Sequence, residues 1–227
     1  MYFVFDMDET IAQLYTMYYF IESFKKELHY KKFVKNILKE ELNKPLGILR
    51  PGILNVMSTL YELQKKGIVK GVIIYSNNGH LESVEFIRDL INKHVGNKFI
   101  KECIYWYHPL RGRYKTNKTW KELNNILMNG IYKDKNVNKD SVYFFDDLCH
   151  TDLMENINYY RVPAYNFKAS FDRIANIYAD SNVKGKYNAC QIKIKGTSDN
   201  PPLQDKGIDI MMNVIDNLKS NLKIKKI

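Results

Sequence analysis

Cysteine and long apolar runs are both scarce in this sequence. Its three cysteines, Cys103, Cys149 and Cys190, are widely spaced and never form a C-x-x-C pair. We therefore expect neither a disulfide framework nor a zinc knuckle, and the pattern favours a reducing compartment. No apolar run approaches the roughly 20 residues that span a bilayer, and no basic segment or small-residue cleavage site marks a secretion signal. We expect a soluble, intracellular protein, cytoplasmic or nuclear, with no membrane partner.

Internal repeats and low-complexity segments are missing as well. Hydrophobic residues make up 45% of the 227 residues, which is enough for one sizeable core but not for two large domains. Lys and Arg outnumber Asp and Glu by 35 to 25, and the net charge of +10 would attract a polyanion such as a nucleic acid or a phosphorylated protein. The charge does not choose between these partners, and the sequence leaves the oligomeric state open.

Runs of β-forming residues alternate with helical patterns along the chain. Apolar residues at helical spacing predict two helices within residues 14–42, one after the Arg50-Pro51-Gly52 turn, one over Val84–Ile91 and one after the capping box Thr119-x-x-Glu122. This alternation predicts a doubly wound α/β fold with a parallel sheet. The predicted strands are Tyr2–Phe5, Gly71–Tyr75, Cys103–Tyr107, Val142–Phe145 and, as a further candidate, Tyr159–Tyr165.

Polar residues follow three of these strands directly. In doubly wound sheets, ligands bind beyond the carboxyl ends of the strands, so these side chains are expected to meet at one edge. They are Asp6 and Asp8, Ser76 and Asn77, and Asp146 and Asp147.

The Asp6-Met7-Asp8 string suits phosphoryl transfer. Its alternation would send the two carboxylates to opposite faces of an extended strand, so the chain must curl into a loop for both to face one site. Asp6 is then placed to attack a phosphorus atom and form an aspartyl phosphate. Asp8 would protonate the leaving oxygen and later deprotonate the attacking water, and Thr10 would hold the loop in place.

A carboxylate that attacks a dianionic phosphate needs relief of charge, which Mg²⁺ with oxygen ligands supplies. The predicted ligands are Asp6, the carbonyl of Asp8, and Asp146 or Asp147 from the other strand. Either of the two adjacent acids can be the direct ligand.

The phosphate oxygens also need donors and a cation. Ser76 and the backbone N–H of Asn77 lie at a loop that opens a helix, which suits phosphate binding. Lys118, just before the capping box, is the predicted cation that neutralises developing charge. Lys121 and Lys115 are the alternatives.

Four segments resemble, in order, the motifs of the haloacid dehalogenase (HAD) superfamily. Residues 3–10, FVFDMDET, resemble its first motif, hhhDxDxT, and residues 73–77, IIYSN, resemble the second. Lys118 corresponds to the third motif, and residues 144–147, FFDD, are similar to the acidic fourth. The DxDET string and the Arg50-Pro51-Gly52 turn are similar to the FCP/SCP-like phosphatases.

The resemblance implies a Rossmann-like three-layer sandwich and a single HAD-like domain over residues 1–227. Residues 11–47 would form a small helical cap insert, where the FCP/SCP-like family usually has strands, and 166–227 a family-variable C-terminal region. An Asp two positions after the nucleophile implies a magnesium-dependent phosphatase, and the family acts on phosphoserine in the C-terminal repeats of RNA polymerase II.

Three functions stay open at this point. A phosphoprotein (Ser/Thr) phosphatase is favoured by the DxDET likeness and by an insert too small to seal the site. A phosphatase of nucleic-acid ends or nucleotides is favoured by the positive charge. A non-catalytic binding or structural protein with the same fold is the third, although the intact motifs argue against it.

Several neighbouring residues have two interpretations each. The basic loop with Arg111, Arg113 and Lys115 either grips a phosphorylated polymer or is solvated, and Asp152 lies either near the metal or in a loop. The aromatic set at 15, 18, 19 and 20 either lines a substrate entrance or packs in the core.

Overall fold

Five parallel strands form the centre of the fold, in the spatial order β3-β2-β1-β4-β5. The structure, a computed structural model, describes residues 1–21, 27–96, 98–112, 117–167, 169–181 and 205–224. Every strand pairing is parallel, which confirms the predicted α/β class. The strands are β1 Tyr2–Phe5, β2 Gly71–Tyr75, β3 Ile100–Ile104, β4 Val142–Asp146 and β5 Asn158–Arg161.

Helices cover both faces of this sheet and complete the predicted three-layer sandwich. Phe3, Phe5 and Phe145 pack with helices α1 to α4, α7 and α8, while Val4 and Phe144 pack with α5 and α6 on the other face. Within the described residues, no helix is both long and apolar enough to cross a membrane. The helices are α1 Tyr18–Ile21, α2 Glu27–Asn43, α3 Ile53–Lys65, α4 Leu81–Val95, α5 Trp120–Asn129, α6 Thr151–Asn156, α7 Phe171–Asp180 and α8 Lys206–Ile224.

Strand register brings the predicted site residues to one edge. Phe5 pairs with Ile74 of β2 and with Phe145 of β4. Because β1 lies between β2 and β4, the polar residues at the carboxyl ends of these three strands emerge side by side at one edge of the sheet.

Two strands end earlier than the sequence pattern predicted. The predicted strand Cys103–Tyr107 stops at its second residue, because the chain turns and the N–H of Trp106 donates to the carbonyl of Asn78 over 3.0 Å. The predicted strand Tyr159–Tyr165 stops at residue 161. Pro163, which has no N–H, cannot extend a sheet ladder there.

Two helices of the C-terminal region had no counterpart in the prediction. In α8, Met211 and Ile215 are buried against the core, and Ile208 and Met212 pack beside them. These apolar residues recur at helical spacing, so the signal was present in the sequence. The assignment of 166–227 as a family-variable region stays a prediction, and Cys190 lies outside the described residues.

The predicted insert at 11–47 contains helices α1 and α2 within its described residues, and α2 packs into the core. Phe33 and Ile37 of α2 are fully buried in the hydrophobic cluster that covers one face of the sheet. Its role as a cap stays a prediction.

Glu41 near the end of α2 is a buried carboxylate. It accepts backbone hydrogen bonds from the N–H groups of Leu46 (3.2 Å), Ile48 (2.8 Å) and Leu49 (3.3 Å), and so holds the chain that leads into Arg50. Burial raises the pKa of Glu41 from 4.5 to about 7, although these backbone hydrogen bonds lower it.

The stability of the protein is therefore expected to depend on pH through Glu41. Its folded-state pKa lies above the unfolded value, so its contribution is fully present below pH 4.5 and is lost as the pH rises through about 7. The loss amounts to roughly 3 kcal/mol of unfolding free energy. Urea denaturation at several pH values would measure it, with Glu41→Gln expected to flatten the profile and Glu40→Gln, the half-exposed neighbour, to keep it. A Glu41→Gln profile as steep as that of the wild type would contradict this prediction.

Candidate active site

The loop after β1 curls as the Asp-x-Asp alternation required. The carbonyl of Met7 accepts hydrogen bonds from the N–H groups of both Ile11 and Ala12 (3.1 Å each), and the N–H of Asp6 is held by the carbonyl of Phe145 at 2.9 Å. Glu9 sits at φ +59°, a left-handed conformation that turns the chain back on itself. The curl buries Met7 and leaves Asp6 and Asp8 on the site side.

Three carboxylates meet at the carboxyl edge of β1 and β4. Asp6, Asp146 and Asp147 each offer an oxygen within 4.8 Å of the others, and all three are buried. Burial is the main cause that raises the pKa of Asp6 to about 7, since the charge of Lys118 offsets it only in part and the charge of Asp146 adds to it. Burial also raises the pKa of Asp147.

Lys118 lies inside this cluster, with its side chain 2% exposed. Its Nζ donates to Asp6 Oδ1 and, over 2.7 Å, to Asp146 Oδ2. Burial alone would raise the pKa of Asp146, but the contacts from His150 and Lys118 outweigh it and hold the pKa below its ordinary value. Of the two alternatives, Lys121 is exposed on α5 and Lys115 lies outside the described residues.

This donor set fits a divalent cation. Three buried carboxylates face one ammonium group, so the ionised cluster carries two uncompensated negative charges in a site that disfavours charge. Carboxylate oxygens are the hard ligands that Mg²⁺ prefers. A bound divalent cation would balance the charge and favour the ionised form of Asp6, so the cluster can hold such an ion.

Thr10 joins the first loop to the loop after β4. Its Oγ1 donates to Asp147 Oδ1 and accepts from the N–H of Asp147, both at 3.0 Å. The carbonyl of Thr10 accepts from the buried Arg50 guanidinium over 2.7 Å, and Arg50 also bonds Asp205 at the start of α8 (3.1 Å). The C-terminal helix is thereby tied to the loop after β1, a role for Arg50 that the sequence did not indicate.

Asp8 faces the loop after β2. Ser76 Oγ donates to Asp8 Oδ2 over 3.1 Å, and Asn78 Nδ2 lies 3.3 Å from the same oxygen. Burial raises the pKa of Asp8, against the lowering effect of these two hydrogen bonds. A raised pKa suits a group that must carry a proton to a leaving oxygen.

Arg111 is buried against the loop after β2, so the solvated interpretation is wrong for this residue, while the interpretation that the basic loop grips a phosphorylated polymer stays a prediction. Its guanidinium donates to the carbonyl of Ser76 (3.0 Å) and to Asn77 Oδ1, and it stacks over the ring of Tyr75. The Asn77 side chain is therefore used to hold the loop. Arg113 of the same predicted loop lies outside the described residues.

Glu122 completes this support beneath the loop after β2. Only one of the two hydrogen bonds of the predicted capping box forms: the Thr119 side chain accepts from the N–H of Glu122. The Glu122 carboxylate instead contacts Arg111 (3.4 Å) and accepts from the N–H of Gly112 (2.7 Å). No residue pattern in the sequence distinguishes this use of Glu122 from an ordinary cap.

His150 also packs against the cluster. Its Nδ1 accepts from the N–H of Lys118 at 3.4 Å, which leaves the proton on Nε2, 3.4 Å from Asp146 Oδ2. Among the described residues, Nε2 has no partner in hydrogen-bond geometry. Asp152 does not join the cluster, since its Oδ2 accepts from the N–H of Trp120 (2.5 Å).

An open cleft of about 360 Å³ adjoins Asp8. Glu9, Gln13, Tyr15 and Tyr18 line it, and the described lining contains no Lys or Arg. The aromatic set is thus divided, because Phe20 is buried in the core while the two tyrosines face the cleft. The side chain at position 19 lies outside the described part.

Comparison with known proteins yields one structural likeness. No protein-family model matches the chain, and no curated protein matches it. Among solved structures, it is similar to that of Fcp1, an essential RNA polymerase II CTD phosphatase, with a TM-score of 0.47 and 13% sequence identity. The match covers 96% of this chain and 62% of that one, so the chain spans less than two thirds of the Fcp1 chain. A likeness at this level assigns no activity to this protein.

Proposed function

We propose that this protein is a HAD-type phosphatase that works through an aspartyl phosphate on Asp6. The buried cluster of Asp6, Asp146, Asp147 and Lys118 is the observation that carries the proposal. Three carboxylates around one ammonium group are costly in a structural core but suit a site that binds a cation and a phosphate together.

In the first step, a carboxylate oxygen of Asp6 attacks phosphorus while the bond from phosphorus to the ester oxygen breaks. Asp8 gives its proton to that leaving oxygen, so the alcohol departs neutral. The ionised Asp8 then takes a proton from water, whose oxygen attacks phosphorus and releases inorganic phosphate and free Asp6.

The other residues bind and orient the phosphate during these steps. Ser76 and the N–H of Asn77 would donate to its oxygens, and Lys118 would offset the charge that develops on them. Thr10 keeps the Asp147 carboxylate in place. Mg²⁺ held by Asp6, Asp146 and Asp147, with the Asp8 carbonyl, would supply charge neutralisation for both steps.

The substrate is a phosphoprotein, and its phosphorylated side chain is serine or threonine. The leaving group must lie beside Asp8, and the cleft there offers tyrosine rings and amide groups. Tyr107 and Leu148, both exposed large side chains that follow strand ends, add apolar surface at the same edge. Such a surface suits a polypeptide.

A nucleic-acid end is the second candidate, favoured by the net charge of +10. A nucleic acid would bring further phosphates next to the reacting one, and these require Lys or Arg contacts. The described lining of the cleft has none, whereas Asp8 and Glu9 both border it. Rates on phosphoserine peptides and on 3′- and 5′-phosphorylated oligonucleotides would separate the two candidates.

Hydrolysis of an aryl phosphate is expected to require the metal. A bound divalent cation contributes several kcal/mol to such reactions, so addition of EDTA should slow the rate about 10³-fold and excess Mg²⁺ should restore it. Mg²⁺ should also raise the melting temperature of the wild type, but not of Asp146→Asn.

Asp216→Asn is the control for the metal test, since Asp216 is an exposed acid on α8 that pairs with Lys219. It should respond to Mg²⁺ as the wild type does. If neither Mg²⁺ nor EDTA changes the melting temperature or the activity of the wild type, the result would favour a non-catalytic protein with this fold.

A further inference from the structure

A second groove, of about 800 Å³, lies away from the catalytic edge. Five cationic side chains line it, and Asp89 is the acidic residue among the described lining. The cations come from four different parts of the chain: α2, α4, the turn after it and β3. They are Lys31, Arg88, Lys93, Lys98 and Lys101.

Most of this positive charge is uncompensated. Arg88 is paired with Glu85 (3.0 Å) and Asp89 (2.9 Å), so the arginine is neutralised locally. Lys93, Lys98 and Lys101 are exposed, and within the described part of the chain they make no ion pair. Three like charges that converge from separate elements repel one another unless an anion binds between them.

The framework that carries these lysines is well supported. Asn92 of α4 makes two hydrogen bonds to the backbone of Ile100 in β3 (2.8 and 3.0 Å). The C-terminal end of α4 and the start of β3 are therefore held together, so the lysines lie on a well-defined surface.

We propose that this groove binds an acidic segment of the phosphoprotein substrate. The choice of partner rests on the proposed function. Lysines act as point charges that suit carboxylates and phosphate groups. A nucleic acid fits less well, because single strands bind through stacked aromatic side chains, and Tyr30 of this groove packs its ring against Phe86 and donates its hydroxyl to Asp89.

The distance to the active site is compatible with one continuous peptide. Helix α4 begins next to the phosphate loop and has 15 residues, about 22 Å of helix at 1.5 Å per residue. An extended peptide covers about that length with six or seven residues. One substrate chain can therefore place its phosphoserine at Asp6 and its acidic segment in the groove.

Direct binding tests the groove without any catalysis. The probe is a fluorescent 15-residue poly-glutamate peptide, titrated with the full chain carrying Asp6→Asn. The triple change Lys93→Glu, Lys98→Glu and Lys101→Glu should weaken binding at least about tenfold, because three attractive charge contacts become repulsive ones. Higher salt should weaken wild-type binding as well.

The matched control is Lys66→Glu, Lys135→Glu and Lys139→Glu, which changes the net charge equally at exposed lysines outside the groove. The Kd of this control for the peptide should lie within about threefold of the Kd of the chain that carries Asp6→Asn alone. Equal weakening in both triple variants would show a response to net charge alone and would overturn the proposal. So would the absence of binding, or tighter binding of a single-stranded 15-nucleotide DNA than of the peptide.

Kinetics then tests the link to the substrate. Two phosphoserine peptides are compared, one with a run of glutamates placed seven residues from the phosphoserine and one with serines there. The wild type should show a higher kcat/KM on the acidic peptide through a lower KM, and the groove variant should lose this preference. An equal preference in both proteins would overturn the proposal. The two proposals are distinguishable. If poly-glutamate binds as expected but neither peptide nor an aryl phosphate is hydrolysed, the proposed phosphatase function is wrong, while the groove is supported as a binding site for acidic peptides.

Discussion

Asp6→Asn is expected to lose at least about 10³-fold in the hydrolysis of an aryl phosphate, because loss of a nucleophile removes the covalent route altogether. The folded state should persist. Asn has nearly the same shape as Asp, and burial already raises the pKa of Asp6, so the fold disfavours its charge. Lys118 keeps Asp146 as its partner at 2.7 Å in the variant. We therefore expect a melting temperature without Mg²⁺ that is equal to or above that of the wild type.

Steady-state rates and thermal melts on the same preparations check both parts of this prediction. Asp209→Asn, an exposed acid on α8, is the control and should keep the wild-type rate. A folded Asp6→Asn protein with a rate within tenfold of the wild type would contradict the nucleophile assignment. Retained activity in Asp6→Asn together with its loss in Asp8→Asn would point to Asp8 instead.

Lys118→Met is expected to lower both activity and stability. Removal of a donor that stabilises developing charge costs about 10²–10³-fold in kcat. The change also leaves Asp6 and Asp146 buried without their cation, and breaking a buried ion pair in this way costs roughly 3–5 kcal/mol. Mg²⁺ should restore part of the stability, since a bound cation offsets the same carboxylates.

The neighbouring lysines provide the comparison for this variant. Lys121→Met, at an exposed position on α5, should retain both activity and stability, and Lys115→Met tests the remaining sequence candidate. The stability cost of Lys118→Met should shrink in an Asp6→Asn background, because one of the two orphaned charges is then absent. A larger loss of activity in Lys121→Met or Lys115→Met than in Lys118→Met would contradict the choice of Lys118.

Much of the fold was predictable from local patterns. The β-forming run at residues 2–5 and the run at 71–75 are strands with the predicted bounds, and the acids and serine that follow the strands lie at one edge of a parallel sheet. Strand and helix periodicity act over a few residues, so a single sequence carries them. Helices α7 and α8 were missed although α8 has a clear apolar spacing.

Long-range contacts decided the rest of the candidate site. The sequence indicated that a lysine near 118 should meet Asp6, but only the packing of α5 against β4 separates Lys118 from Lys121. Arg111, Glu122 and His150 became parts of the site in the same way, since they contact Ser76, Tyr75 and Lys118, respectively, which lie more than 30 residues away in the chain.

By itself, the sequence determined that Asp6, Asp146 and Asp147 would meet, because carboxylates at the ends of neighbouring parallel strands converge wherever such a sheet forms. The tertiary structure alone decided which of the described lysines share one surface. Lysines scattered from position 31 to position 101 converge in a groove away from the carboxyl edge of the sheet, while the described lining of the cleft at Asp8 has no Lys or Arg. Residues far apart in a sequence carry no sign of their distance in space, and only folding brings these lysines to one surface.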